Sequence, residues 1–235
     1  MSSKKKQEIA KEQKDWESIG EAVVTSERFI EKHQKQIFIG VIAILVIVGL
    51  VWAYDALYVK PKTEEAQVAM FKGESYFRAN QDTLALYGDG RDFIGFEAIA
   101  EEYGSTKAGN LAKYYAGVSN FRIGKYAEAI SFLNSYNGDD VVVAYVAKGI
   151  IGSCYVNTGK LEEGAKFFIE AAKGANDNLI SPNYYMKAVS VYRDLKNYDK
   201  VIELGNIIRN QYMNSYEAMN IVKYIDEAQV LKGAQ

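Results

Sequence analysis

The chain has 235 residues, 49% of them hydrophobic and 25% charged, with a formal net charge of −2. That composition excludes a wholly disordered chain, and the charge balance offers nothing to attract nucleic acid. One cysteine (Cys154) and one histidine (His33) exclude an intrachain disulfide and any multi-histidine metal site, so no cofactor is expected.

Residues 1–36 form a charged leader. Its first 15 positions are rich in Lys, Glu and Gln. Ser18 and Glu21 stand at capping-box spacing, which predicts the start of a short helix. Ile9, Trp16, Val23, Ile30 and Ile37 recur every seven residues. This narrow stripe fits a weakly amphipathic helix that lies on the membrane or docks a partner; the intervening positions are too polar for a coiled coil.

Ile37 to Tyr54 reads IFIGVIAILVIVGLVWAY, 18 residues without a charge, and Ala56 to Val59 prolong the run past Asp55. A helix over 37–59 is roughly 34 Å long, enough for a hydrocarbon core of ~30 Å. Trp52, Tyr54 and Tyr58 cluster at one end as an aromatic belt does. A core helix with so long an uncharged run is rare. A cleaved signal peptide has a shorter apolar region close to the N-terminus, whereas here 36 residues precede it. The reading is an uncleaved single-pass anchor in a lipid bilayer. The leader carries eight Lys or Arg residues, which puts the N-terminus inside and residues 60–235 outside.

The rest of the chain is helically periodic, with 20 Lys/Arg and 22 Asp/Glu between residues 60 and 235. Gly124-Lys-Tyr126-Ala-Glu-Ala129 recurs as Gly159-Lys-Leu161-Glu-Glu-Gly164, 35 residues later, and as Lys196-Asn-Tyr198-Asp-Lys-Val201 after another 37. A period of this size marks stacked helix pairs. Thr63 to Asn80 and Phe93 to Tyr103 read as an earlier, degenerate pair, joined by a long connection over 82–90. Tyr216 to Leu231 reads as a closing helix, which an array end needs to cover its apolar face.

These residues resemble the tetratricopeptide repeat. Its small helix-A residue is matched by Gly117 and Gly152, its helix-A aromatic by Tyr155 and Tyr192 (Asn120 in the first repeat), and its helix-B alanine by Ala129. Its helix-B aromatic is matched by Phe168. Gly164, Val201, Leu133 and Gly205 depart from the pattern. The resemblance implies an all-α fold: one transmembrane helix, then an α-solenoid with repeats near 63–106, 110–143, 145–178 and 182–214 and a cap over 215–232. Gly117 and Gly152 are then expected where helices A and B nearly touch.

Chemistry is sparse. Cys154 lies inside a helix with no electropositive neighbour and reads as a buried structural thiol. Asp139-Asp140 and Glu101-Glu102 read as solvated or capping pairs, since adjacent helix residues face different ways. Gly88-Asp89-Gly90 is a turn signal without phosphate-loop spacing. The expectation is a binding protein and not an enzyme.

By the repeat resemblance, the concave face takes Leu111, Tyr114, Val118, Phe121 and Arg122 from the first repeat. The second contributes Val146, Gly149, Ser153, Val156 and Asn157, and the third Asn183, Met186, Ser190, Arg193 and Asp194. The binding groove is assigned to Tyr114, Phe121, Arg122, Asn157, Met186 and Arg193. Rings and Met186 would supply apolar contact; Arg122, Asn157 and Arg193 would hydrogen-bond an extended client. The Lys and Asn of a carboxylate clamp are absent, because Tyr114, Val118, Gly149, Ser153, Met186 and Ser190 stand at those positions.

The order of leader, single span and degenerate repeats, with FIGFEAIAEEYGSTKAG (Phe93–Gly109) ahead of Tyr114-Tyr115-Ala116-Gly117, resembles the bacterial YfgM-like family. The resemblance implies an inner-membrane protein with a periplasmic domain, an ancillary subunit of the Sec translocon. Its implied partners are translocon subunits, a membrane-anchored periplasmic prolyl isomerase/chaperone and unfolded secreted clients. The alternative role is a structural scaffold for envelope assembly or division that binds no client.

Overall fold

The computed structural model describes residues 33–234. Most of the leader, with the Ser18–Glu21 capping box and the stripe through Ile9, Trp16, Val23 and Ile30, lies outside the described residues. The described residues are helical and contain no strand. The described residues divide into two units, on either side of the Val59–Lys60 junction.

In the first unit, helix α1 runs over 33–54 and ends in a π-helical turn, Asp55–Val59. Its side chains are exposed almost throughout: Phe38, Ile39, Leu50 and Trp52 are each at least 65% exposed. The helix is long and apolar enough to cross a membrane, and none of its most apolar 18-residue window is buried. Tyr54 and Tyr58 stack with ring centroids 5.3 Å apart.

The second unit has ten helices among the described residues: α2 (Lys60–Arg78), α3 (Asp82–Tyr87), α4 (Phe96–Glu102), α5 (Lys107–Arg122), α6 (Tyr126–Ser135), α7 (Val141–Asn157), α8 (Leu161–Ala175), α9 (Ile180–Asp194), α10 (Tyr198–Gln211) and α11 (Tyr216–Gly233). From α5 onward each helix packs mainly on its chain neighbours, with further contacts of α5 to α7, α7 to α9 and α9 to α11. At the start of the unit α2 and α3 both pack on α5 as well as on each other, and α2 also meets α4. The core is strung along the unit in three clusters. One is centred on Phe93, Phe96 and Ile99, one on Val118, Leu133 and Ile151, and one on Phe168, Leu204, Ile208 and Ile225.

Four turns repeat one backbone pattern. Asn80, Gly124, Gly159 and Lys196 all have positive φ, between 56° and 84°. The next residue's N–H reaches back to the carbonyl of Tyr76, Asn120, Tyr155 or Tyr192, each at 2.9 Å. This is the Schellman helix ending, in which a left-handed residue lets the chain reverse while the last carbonyls stay bonded. The shared geometry sets Tyr76, Asn120, Tyr155 and Tyr192 at equivalent positions.

Glycines sit where paired helices approach. A Cβ on Gly117 would lie 2.5 Å from Leu133 Cγ in α6 and 3.3 Å from the Ala129 carbonyl oxygen. One on Gly152 would lie 3.0 Å from the Gly164 carbonyl oxygen in α8, and one on Gly164 would lie 2.8 Å from the Gly152 oxygen. The α7–α8 crossing is therefore a contact of two bare backbones.

The 82–90 connection differs from the expectation. Its first six residues form α3, and the second helix of that pair starts at Phe96, not Phe93. The cause is the return loop. Gly95 has φ 93°, and a Cβ there would fall 2.2 Å from the Leu86 carbonyl oxygen. Asp89 organises the same loop. One carboxylate oxygen accepts the N–H groups of Arg91, Asp92 and Phe93 at 3.0, 3.2 and 3.1 Å. The other accepts the Tyr76 hydroxyl at 2.9 Å and pairs with Lys72 at 2.6 Å.

Candidate protein-binding surface

Helices α5, α7 and α9 carry the assigned groove residues. The first two start at side-chain caps: the Thr106 hydroxyl accepts the Gly109 N–H, and the Asp140 carboxylate accepts the Val143 N–H. Asp140 is thus a capping residue, which satisfies one of the free donors at a helix start. Arg122, Asn157 and Arg193 fall in the last turns of their helices.

Tyr114 is half-buried between Tyr115 and Tyr136, with ring centroids 5.8 and 5.6 Å away. Burial pushes its phenol above the usual range. Phe121 packs against Tyr126 at 5.9 Å. Met186 is half-buried against the cluster that spans α8 to α11. These three residues contribute to helix packing as well as to surface.

The polar hooks are already engaged. The Arg122 guanidinium lies 4.1 Å from the Phe77 ring centroid and donates to the Phe77 carbonyl and the Asp82 carboxylate, each at 3.4 Å. Arg193 lies 5.2 Å from the Tyr224 ring centroid on α11. Asn157 is exposed, and its amide donates to the Ser153 carbonyl at 2.8 Å. Among the wider lining set, Val118 and Gly149 are buried. Gly149 lies under the Tyr184 ring, where a Cβ would fall 2.1 Å from the ring carbons. Tyr184 in turn stacks on Phe168, donates to the Val146 carbonyl at 3.4 Å, and has its phenol pushed by burial up to about 12.

The open surface lies beside the assigned residues. A cavity of about 320 Å³ between α2 and α5 is lined by Met70, Phe71, Glu74, Lys107, Ala108 and Leu111. Phe71 is 74% exposed. Leu111 belongs to the expected lining. Phe71 does not, although its position one residue after the buried Met70 on an amphipathic helix was the available signal. A more polar cavity of about 480 Å³ is lined by Thr106, Lys107, Asn110, Tyr136, Asp139 and Asp140, with Lys107 and Asp139 paired at 3.2 Å.

Cys154 is fully buried, and burial pushes its thiol up to about 11. Among the described residues, no group of three or more His, Cys, Asp or Glu side chains is arranged to hold a metal ion. No protein-family model, curated protein or solved structure matches the chain. The family resemblance therefore rests on the quoted residues alone.

Proposed function

We propose that this chain is a membrane-anchored interaction protein of tetratricopeptide-repeat type, with its leader in the bacterial cytoplasm and residues 60–235 in the periplasm. It acts as an ancillary subunit of the Sec translocon, holds emerging secreted clients, and passes them to a membrane-anchored prolyl isomerase/chaperone. The observation that carries the reading is the pairing, in one chain, of an unburied apolar helix of membrane-spanning length with an all-helical unit. The recurring Schellman turns and the glycine contacts at α5–α6 and α7–α8 support a repeat array. Tethering raises the local concentration of such an array near a chain leaving the membrane, so weak contacts suffice.

Topology is tested by adding protease to cells with a permeabilised outer layer and an intact inner membrane. Residues 60–235 should be digested, and complete protection reverses the orientation. Client contact is tested with photo-crosslinking side chains at exposed Asn157 and at Phe71, positions whose substitution does not disturb the core. Adducts with translocating chains and translocon subunits are expected. Adducts confined to envelope-building machinery would replace the translocon role with the scaffold role.

A further inference from the structure

Helix α11 has two unlike faces. Ile221, Ile225 and Ala228 are buried in the core cluster shared with α9 and α10. The opposite face carries Tyr216, Met219, Lys223, Asp226, Val230 and Gly233, all exposed. Tyr216 is 77% exposed, Met219 76% and Val230 72%. The helix that closes the unit thus leaves uncovered a stripe with large apolar side chains toward its ends and an opposite-charge pair at its middle.

The stripe has a 3-4-3-4-3 spacing, the seam of a two-helix coiled coil. Its order is also self-complementary about a point between Tyr224 and Ile225. A second α11 running antiparallel about that point places Met219 against Val230 of the second copy and Lys223 against Asp226 of the second copy. Tyr216 then meets Gly233 of the second copy, where a Cβ would find nothing within 4 Å and a ring has room. The two-fold axis repeats each contact, so two opposite-charge pairs flank the centre and apolar pairs lie outside them. A parallel pairing would set Lys223 against Lys223 and Asp226 against Asp226, so the charge order selects the antiparallel arrangement.

We infer that the exposed face of α11 is a two-fold dimer interface that takes the α11 of a second copy of this chain. An isologous contact needs one patch to complement itself, and this stripe meets that condition residue by residue. A single helix pair about 27 Å long is at the small end of specific interfaces. The inference therefore rests on the membrane-anchor reading, because confinement to one membrane supplies the effective concentration that a small contact needs.

The test uses the full chain in membranes, with native Cys154 retained because its thiol is buried. Two differently tagged copies carry Met219→Cys and Val230→Cys. Mild oxidation should join them through a disulfide. Met219→Cys should not join to itself, since two copies of that position stand roughly 16 Å apart along the antiparallel pair. Lys223→Asp should reduce the crosslinked fraction at least fivefold, and Lys223→Asp combined with Asp226→Lys in both copies should restore it. Thermal melting of each variant confirms that the fold is intact. Absence of the Met219–Val230 bond, equal self-joining at Met219, or indifference to the charge reversal overturns the proposal. A bond only to a different protein would do the same and identify the face as a hetero-partner site. If the chain proves not to be membrane-anchored but still crosslinks in this register, only the tethering argument fails.

Discussion

Replacing Gly152 with leucine tests the backbone contact between α7 and α8. The first added carbon would lie 3.0 Å from the Gly164 carbonyl oxygen and 2.9 Å from Phe168 Cδ1. The Phe168 ring is only 4% exposed, and the oxygen belongs to a helix backbone, so neither neighbour can swing aside. Relief requires α7 and α8 to separate. Overpacking of this kind costs about 1–3 kcal/mol, and contact with both the α8 main chain and the buried Phe168 ring puts Gly152→Leu near the upper figure. Leaving glycine in a helix interior returns roughly 0.5–1 kcal/mol. The net loss is about 2 kcal/mol, equivalent to a fall in Tm of roughly 4–8 °C for a unit of this size. The assay is a circular-dichroism melt of a fragment covering residues 60–235. Exposed Glu162→Ala on the facing helix is the control and should stay within about 0.5 kcal/mol of wild type. An unchanged or raised Tm for Gly152→Leu would mean that these two helices do not meet through their backbones.

Other positions give independent checks. Gly149→Ala drives a methyl into the Tyr184 ring, so combining it with Tyr184→Leu should show a coupling of about 0.5–3 kcal/mol in a double-mutant cycle; strict additivity would separate the two residues. Lys196 occupies with φ 56° the turn position that Gly124 and Gly159 fill elsewhere. Left-handed backbone costs a residue with a Cβ roughly 1–2 kcal/mol, and glycine's greater freedom in the unfolded chain takes back about 0.5–1 kcal/mol. The net gain of about 0.5–1 kcal/mol from Lys196→Gly should raise Tm by about 1–4 °C, and a lower Tm would contradict the turn geometry. Lys72, then the backbone N–H groups of Arg91 and Phe93, hold the Asp89 carboxyl below its usual range. The stabilisation is present above the unfolded value of ~3.9 and is lost as pH falls through the lower folded value. The Tm gap between wild type and Asp89→Asn should therefore be constant from pH 5 to 7 and close in more acidic solution; a gap independent of pH would remove the charge from the explanation. Alkylation of Cys154 at neutral pH should be at least about 100-fold slower in the native chain than in denaturant, and comparable rates would show that α7 and α8 part readily.

The membrane-length helix, the helical periodicity, the turns at Gly124, Gly159 and Lys196 and the small residues at helix contacts are legible in the sequence. Each is recorded locally: an uncharged run needs only its own residues, and a turn between helices needs only a residue that tolerates positive φ. The equivalence of Tyr76 with Asn120, Tyr155 and Tyr192 is hidden in the sequence, because Asn80 does the work of glycine in that turn. Helix α3 and the late start of α4 are not legible there, because the loop is set by Gly95 packing on the Leu86 carbonyl, a contact between segments. The groove assignment depended most on tertiary structure. Arg122 reads as a free hook in sequence, yet the ring and carbonyl it meets lie 45 residues away and the carboxylate 40. Arg193 is likewise drawn to Tyr224 on a later helix. Backbone period and turn chemistry are properties of short segments, whereas the use a side chain makes of its charge depends on which distant segment the packing brings beside it.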